Sequence, residues 1–130
     1  MKIYLAARYS RQAELRGYAD QLRAAGFDVT ATWLDCNEAS DAAGTPASLR
    51  AWAEQDLADV QRSEALIAFT EPDDAPVSSG GRHVEMGYAL ALGVPVYVVG
   101  PPENIFCRLA QMRFDTFGEM LAWLTREGRP

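Results

Sequence analysis

Two carboxylates stand where their neighbours argue against charge. Between Val84 and Pro102 the only charged side chain is Glu85, at the head of the apolar run "VEMGYALALGVPVYVVG". In residues 46–62, Leu49, Trp52, Ala53, Leu57 and Val60 recur at helical spacing, and Asp56 projects into the middle of that stripe, with Glu54, Gln55 and Asp59 at its edge or outside it. A carboxylate facing a core is costly unless it is hydrogen-bonded or opens onto a polar cavity. Singly, each has a structural explanation. Asp56 can cap a loop or pair with an arginine, and Glu85 can answer the dipole of the helix it opens. Together they suggest a working pair, the arrangement that flanks a glycosidic bond and breaks it, one group at C1 and the other at the leaving group.

The tetrad Ser78-Ser79-Gly80-Gly81 directly precedes Glu85's helix. Small residues at a helix start leave backbone N–H groups open to an anion, and serine hydroxyls add donors. An ordinary serine cap in a flexible loop reads the same residues equally well. Arg8, Arg11, Arg82 and His83 lie beside these loops as anion-binding or merely solvated residues, His83 fitting a supporting role better than a catalytic one. Tyr4 either packs in its strand or directs its hydroxyl at the sheet edge. Tyr9 and Trp33 either pack or stack on a base.

These residues need a scaffold that gathers them. Apolar runs at 2–6, 28–34, 65–69 and 95–99 read as strands. Helical patterns fill 11–25 (stopped by Gly26), about 46–62, about 81–92 and about 117–126, with loops at 35–46 and 71–81. Alternation of this kind predicts right-handed βαβ units: an α/β, Rossmann- or flavodoxin-like three-layer sandwich on a parallel sheet of four to five strands. Ligands then bind beyond the carboxyl ends of the strands, at the switch point. That places "ARYSR" (7–11) and "EPDDAPVSSGG" (71–81) at the site.

The 130 residues suit a single domain, 48% hydrophobic, with net charge -6 and a pI of about 4.7. The acidic balance argues against a broad nucleic-acid surface. Cys36 and Cys107 lack metal or redox spacing and read as reduced thiols. One histidine and no ligand-spaced carboxylates leave no metal expected. There is no GxGxxG after the first strand and no Walker spacing, which disfavours an ordinary dinucleotide or P-loop site. No signal-peptide pattern or membrane-length apolar run is present, so the sequence reads as cytoplasmic, without membrane partners.

Over roughly residues 2–105 the chain resembles the nucleoside 2-deoxyribosyltransferase family, including its branch of 2'-deoxynucleoside 5'-phosphate N-hydrolases. "KIYLAA", "AEQDLADVQRSEALIAF" and "GRHVEMGYALALGVPVYVV" carry the likeness, Glu85-Met86-Gly87-Tyr88-Ala89 being its most specific part. The resemblance implies that Glu85 is the nucleophile at C1' of the deoxyribose, that Asp56 handles the base, and that Tyr4 orients the nucleophile. Six residues before the nucleophile, transferases resemble one another in an Asp, whereas the monophosphate hydrolases have a phosphate-contacting Ser. Here it is Ser79. Arg8, Tyr9, Ser78, Gly80, Gly81 and Arg82 complete the expected substrate contacts. Asn104, in "PPENIFC", matches a residue that relatives send into a neighbouring subunit, so a homodimer or larger homo-oligomer is implied. No cofactor is implied. The loop "AARYSR" departs from relatives in lacking glycines. The reading that follows is cleavage of the N-glycosidic bond of deoxynucleoside monophosphates through a glutamyl intermediate. Its rivals are base exchange between deoxynucleosides, a phosphoribohydrolase of the lysine-decarboxylase-like group, and a nucleotide sensor without turnover.

Overall fold

In the computed structural model, residues 1–36 and 44–126 are described. Five strands, β1 (Lys2–Ala6), β2 (Asp28–Val29), β3 (Ala65–Phe69), β4 (Val96–Val99) and β5 (Met112–Phe114), form one sheet in the order β2-β1-β3-β4-β5. Every pairing is parallel. All five residues of β3 are buried, as expected of a central strand covered on both faces.

The helices are α1 (Gln12–Ala24), α2 (Pro46–Gln61), α3 (Gly81–Leu92) and α4 (Phe117–Arg126). The chain moves outward from β1 to β2, then back across to β3. Right-handed crossovers therefore put α1 and α2 on opposite faces of the sheet. On the α1 face, Tyr18 stacks on Phe117 of α4 at 4.1 Å and on Phe69 at 5.5 Å. On the other face α2 packs against α3. The change of direction leaves a crevice between the carboxyl ends of β1 and β3.

The expected α/β fold is thus present, with differences of detail. Only Asp28 and Val29 of the strand expected over 28–34 pair with β1; Thr32–Asp35 instead form a 3-10 turn that buries Trp33 and Leu34. Trp33 is tied by its indole N–H to the Leu5 carbonyl at 2.9 Å. A side-chain demand thus overrides the alternating pattern. Tyr9–Arg11 is also a 3-10 turn, so α1 starts at Gln12. The fifth strand is only three residues long and half exposed, too short to register as a period. Residues 37–43 of the loop expected at 35–46 lie outside the described residues.

Two helices differ more. Helix α3 is not buried all round: Glu85, Met86 and Ala89 face inward, while Val84 is 62% and Leu92 45% exposed. In α2 the expected stripe is only partly covered. Val60 is buried, Leu49, Trp52 and Leu57 are half-buried, and Ala53 is exposed. Asp59, expected at the edge, is fully buried.

Candidate active site

The strand β1 carries Tyr4 on the face that α3 covers, and the first turns of α3 bring Glu85 over it. The Tyr4 hydroxyl donates to Glu85 Oε2 at 2.6 Å, joining residues 81 positions apart. Burial, then the negative charges of Glu85 and Asp56, push the Tyr4 hydroxyl well above its ordinary range, so it remains a donor. Burial also raises Glu85 to about 8: the Tyr4 hydrogen bond opposes the rise, and the nearby Asp56 carboxyl reinforces it. Asp56, from the middle of α2, is raised to about 6, by burial and then by the charge of Asp59, while its contact with Glu85 acts in the opposite direction. Asp56 and Glu85 are therefore coupled acids, and ionisation of one holds back that of the other. Such a pair supplies an anion and an acid at one spot, the requirement for displacing a leaving group from an acetal carbon.

The pair lies at the floor of an open cleft of about 140 Å³ at the β1/β3 crevice. Beside it are Arg8 and Tyr9, which follow β1, and Trp33 from the 3-10 turn. The rings of Tyr9 and Trp33 are tilted at 45° with centroids 6.4 Å apart, forming an aromatic wall near Asp56. Tyr9 also donates to the Cys36 carbonyl at 3.4 Å, and Gln12 Nε2 donates to the carbonyls of Trp33 and Cys36 at 2.8 and 2.7 Å. The wall is thereby fixed to the start of α1.

The start of α3 also borders the cleft, with Ser78, Ser79, Gly80 and Gly81 all lining it. Gly80 is the N-cap and has φ +84, a left-handed conformation that favours glycine. No side chain caps the helix there. The His83 N–H donates to the Gly80 carbonyl at 3.0 Å, and those of Gly81 and Arg82 are left for an anion. Arg8 Nη2 donates to the Pro76 carbonyl at 2.7 Å, which holds the 71–80 loop against β1, and Arg8 Nη1 lies 3.8 Å from Glu71.

Three residues are placed differently from what their sequence position suggests. Arg82 borders the cleft, yet its side chain is only 7% exposed and is engaged by Glu103 and Ser78. Arg11 lies outside the cleft lining, bound to Glu14 and Glu71 at 2.7 and 2.8 Å. Asn104 is absent from this chain's cleft. It caps the 3-10 turn Ile105–Leu109 by accepting from Phe106 N, and borders a separate groove with His83, Met86 and Phe106. Glu103 and Asp59 were not visible as partners in the sequence, because nothing in the linear pattern says which acid meets which arginine. Among the described residues, no group of three or more His, Cys, Asp or Glu side chains could hold a metal ion. No described helix is long and apolar enough to cross a membrane.

An α/β fold with its crevice at the switch point and a tyrosine-bound carboxyl pair on its floor defines a class: enzymes that act at a glycosidic carbon. The family profile for nucleoside 2-deoxyribosyltransferase matches residues 3–122, and the chain belongs to that family. It is an enzyme of the deoxyribosyltransferase kind. Solved structures that share the fold include the following three. The 2-deoxyribosyltransferase of Bacillus psychrosaccharolyticus superposes with a TM-score of 0.71 at 19% identity, covering 92% of this chain and 90% of that one. The 2-deoxyribosyltransferase of Leishmania mexicana gives 0.66 at 14% identity, covering 98% and 99%. The CMP N-glycosidase BcmB of Clostridium botulinum gives 0.60 at 18% identity, covering 95% and 98%. No curated protein matches the chain in sequence.

Proposed function

We propose that this enzyme hydrolyses the N-glycosidic bond of 2'-deoxynucleoside 5'-monophosphates through a covalent deoxyribosyl–Glu85 intermediate. The observation that carries the reading is the setting of the Tyr4–Glu85–Asp56 constellation: the cleft that holds the two acids is also lined by two aromatic rings and by an uncapped helix start with two serines.

The base lies against Tyr9 and Trp33, and the 5'-phosphate takes the N–H groups after Gly80, the hydroxyls of Ser78 and Ser79, and Arg8. In the first step Glu85 attacks C1' as the carbon–nitrogen bond breaks through an oxocarbenium-like transition state. Tyr4 stabilises the attacking carboxylate, and a proton passes by way of Asp56 to the departing base. In the second step water attacks C1', Asp56 takes its proton, and the Glu85 carboxylate is released. The CMP N-glycosidase with this fold has a nucleotide in its name, which favours a phosphate-bearing substrate.

Base exchange between deoxynucleosides is the second reading, favoured by the family and by two transferases of the same fold. Exposed Ile105, Phe106 and Leu109, beside the groove that holds Asn104, support a homodimer as the working form. The test is turnover of the four common deoxynucleoside monophosphates and their nucleosides, with and without added free base. Free base from a monophosphate, at an efficiency about a hundredfold or more above its nucleoside, is the expected result. A ratio near one, with base exchange, assigns the enzyme to transfer.

A further inference from the structure

Arg82 occupies an unfavourable position for a cation. It lies in the first turn of α3, where the helix dipole repels positive charge, and its side chain is only 7% exposed. A guanidinium withdrawn from water needs a paired, hydrogen-bonded counter-charge. Glu103 provides it as a fork, accepting from Nε at 3.3 Å and from Nη2 at 2.6 Å. The third side of the guanidinium, Nη1, donates to Ser78 Oγ at 2.9 Å.

That third bond has a chemical consequence. A serine hydroxyl has one proton to give and two lone pairs to accept with. Because Arg82 donates into a lone pair, the Ser78 proton must go to another acceptor. Among the described residues no hydrogen bond uses it, and Ser78 lines the cleft. For Arg82 to reach an anion itself, it would have to abandon a bidentate, nearly dry pair for a single contact. The exchange leaves Glu103 unpaired and is unfavourable.

We propose that Arg82 is a positioning residue for the anion end of the cleft, acting through Ser78. It fixes the Ser78 hydroxyl as a donor toward the substrate's phosphate, while Glu103 holds the guanidinium in place. This rests on the monophosphate reading above. It divides the two serines between roles: Ser78 is the oriented donor, and Ser79, exposed at the mouth, is the freer one.

The test is a double-mutant cycle of Ser78→Ala and Arg82→Lys, read on the best-used monophosphate and its nucleoside. Each single change should raise KM for the monophosphate about tenfold and move kcat less than about threefold. The double variant should be no worse than either single variant, because the arginine acts only through the serine. Glu103→Gln, a milder change outside the cleft, should produce a smaller KM rise in the same substrate and covers the case in which Arg82→Lys does not fold. Effects that multiply in the double variant mean that Arg82 touches the anion and overturn the proposal. So does an Arg82→Lys or Glu103→Gln defect that falls equally on both substrates and on kcat, which is the mark of a merely structural role. An unaltered enzyme with no monophosphate preference overturns the phosphate reading itself, and this proposal with it.

Discussion

Asp59 and Glu85 are both carboxylates withdrawn from water, on neighbouring helices, yet they are provided for in opposite ways. Asp59 is fully buried and accepts from Thr32 N and Oγ1 at 3.0 and 2.6 Å, from Gln55 Nε2 at 2.9 Å, and from Arg62 Nε and Nη2 at 3.2 and 3.0 Å. Its charge is accounted for, and what it does is tie α2 to the turn that carries Trp33. Glu85 receives one phenolic donor and faces a second acid. Its charge is under-supplied, and its proton is therefore held more tightly than an ordinary carboxyl holds one. Burial alone therefore does not mark a carboxylate as a candidate for catalysis. The shortage of donors does, because a group already satisfied by its own protein has little left to offer a substrate.

The most severe way to probe this contrast is to remove the under-supplied group. Glu85→Ala should lower kcat/KM by about 10³-fold or more with the fold retained, and a 2-fluoro sugar analogue should leave an adduct on Glu85 of the unaltered enzyme, read by mass spectrometry. A folded variant with most of its activity removes Glu85 from the chemistry. Asp56→Asn comes next. It keeps the shape and loses the proton relay, so turnover of ordinary substrates should fall about 10²-fold, and turnover of substrates with an activated leaving group much less. Equal losses on both would mean that Asp56 serves the structure.

Asp59→Asn should invert that pattern. With one acceptor charge gone from a fully donated site, stability should drop by roughly 1–3 kcal/mol, visible as a Tm about 5–10 °C lower, while kcat changes only a few-fold. A kinetic loss matching that of Asp56→Asn would erase the distinction drawn between the two acids.

The smallest effect is in the pH dependence. Glu85 and Asp56 both have folded-state values raised above their ordinary ones, to about 8 and about 6. Their contribution to stability is therefore complete below the ordinary carboxyl range, and it is lost as pH rises through about 6 and then about 8. Melting temperature should fall by a few degrees between pH 5 and pH 9, and Glu85→Gln should flatten that fall. For the same reason kcat/KM should follow a bell whose limbs lie near those two values, since catalysis needs the singly protonated pair. A monotonic profile would mean that no proton is shared.

The candidate site was largely legible in the sequence because its residues are incongruous with their surroundings. Glu85 and Asp56 are charges in apolar runs, and Ser78–Gly81 sits at a helix start, so the pattern exposes them. The scaffold was legible wherever a strand is central, as in 65–69, where burial on both faces leaves a continuous apolar run. What escaped depends on distant pairings. Arg82 reads as a surface cation until Glu103 is brought beside it, and Asp59 reads as a helix edge until Thr32 and Arg62 surround it. The short edge strand Met112–Phe114 escaped for a related reason, since half of its character comes from pairing with β4. The exposed outer side of α3 was misread as core because an apolar composition does not say which side of a helix is packed.

The join between Tyr4 and Glu85 also bears on how the enzyme comes into being. β1 lies between β2 and β3 in the finished sheet, and its Tyr4 hydroxyl must await a carboxyl 81 positions later. Parallel pairing over such a span closes a long loop before any contact repays it, which makes this the slow event of folding. Tyr4 and Glu85 cannot meet until β1 and β3 have paired and α3 has docked on them. A ribosome-bound chain that ends before α3 has emerged should lack activity, and in refolding, activity should return with the last kinetic phase and in none before it.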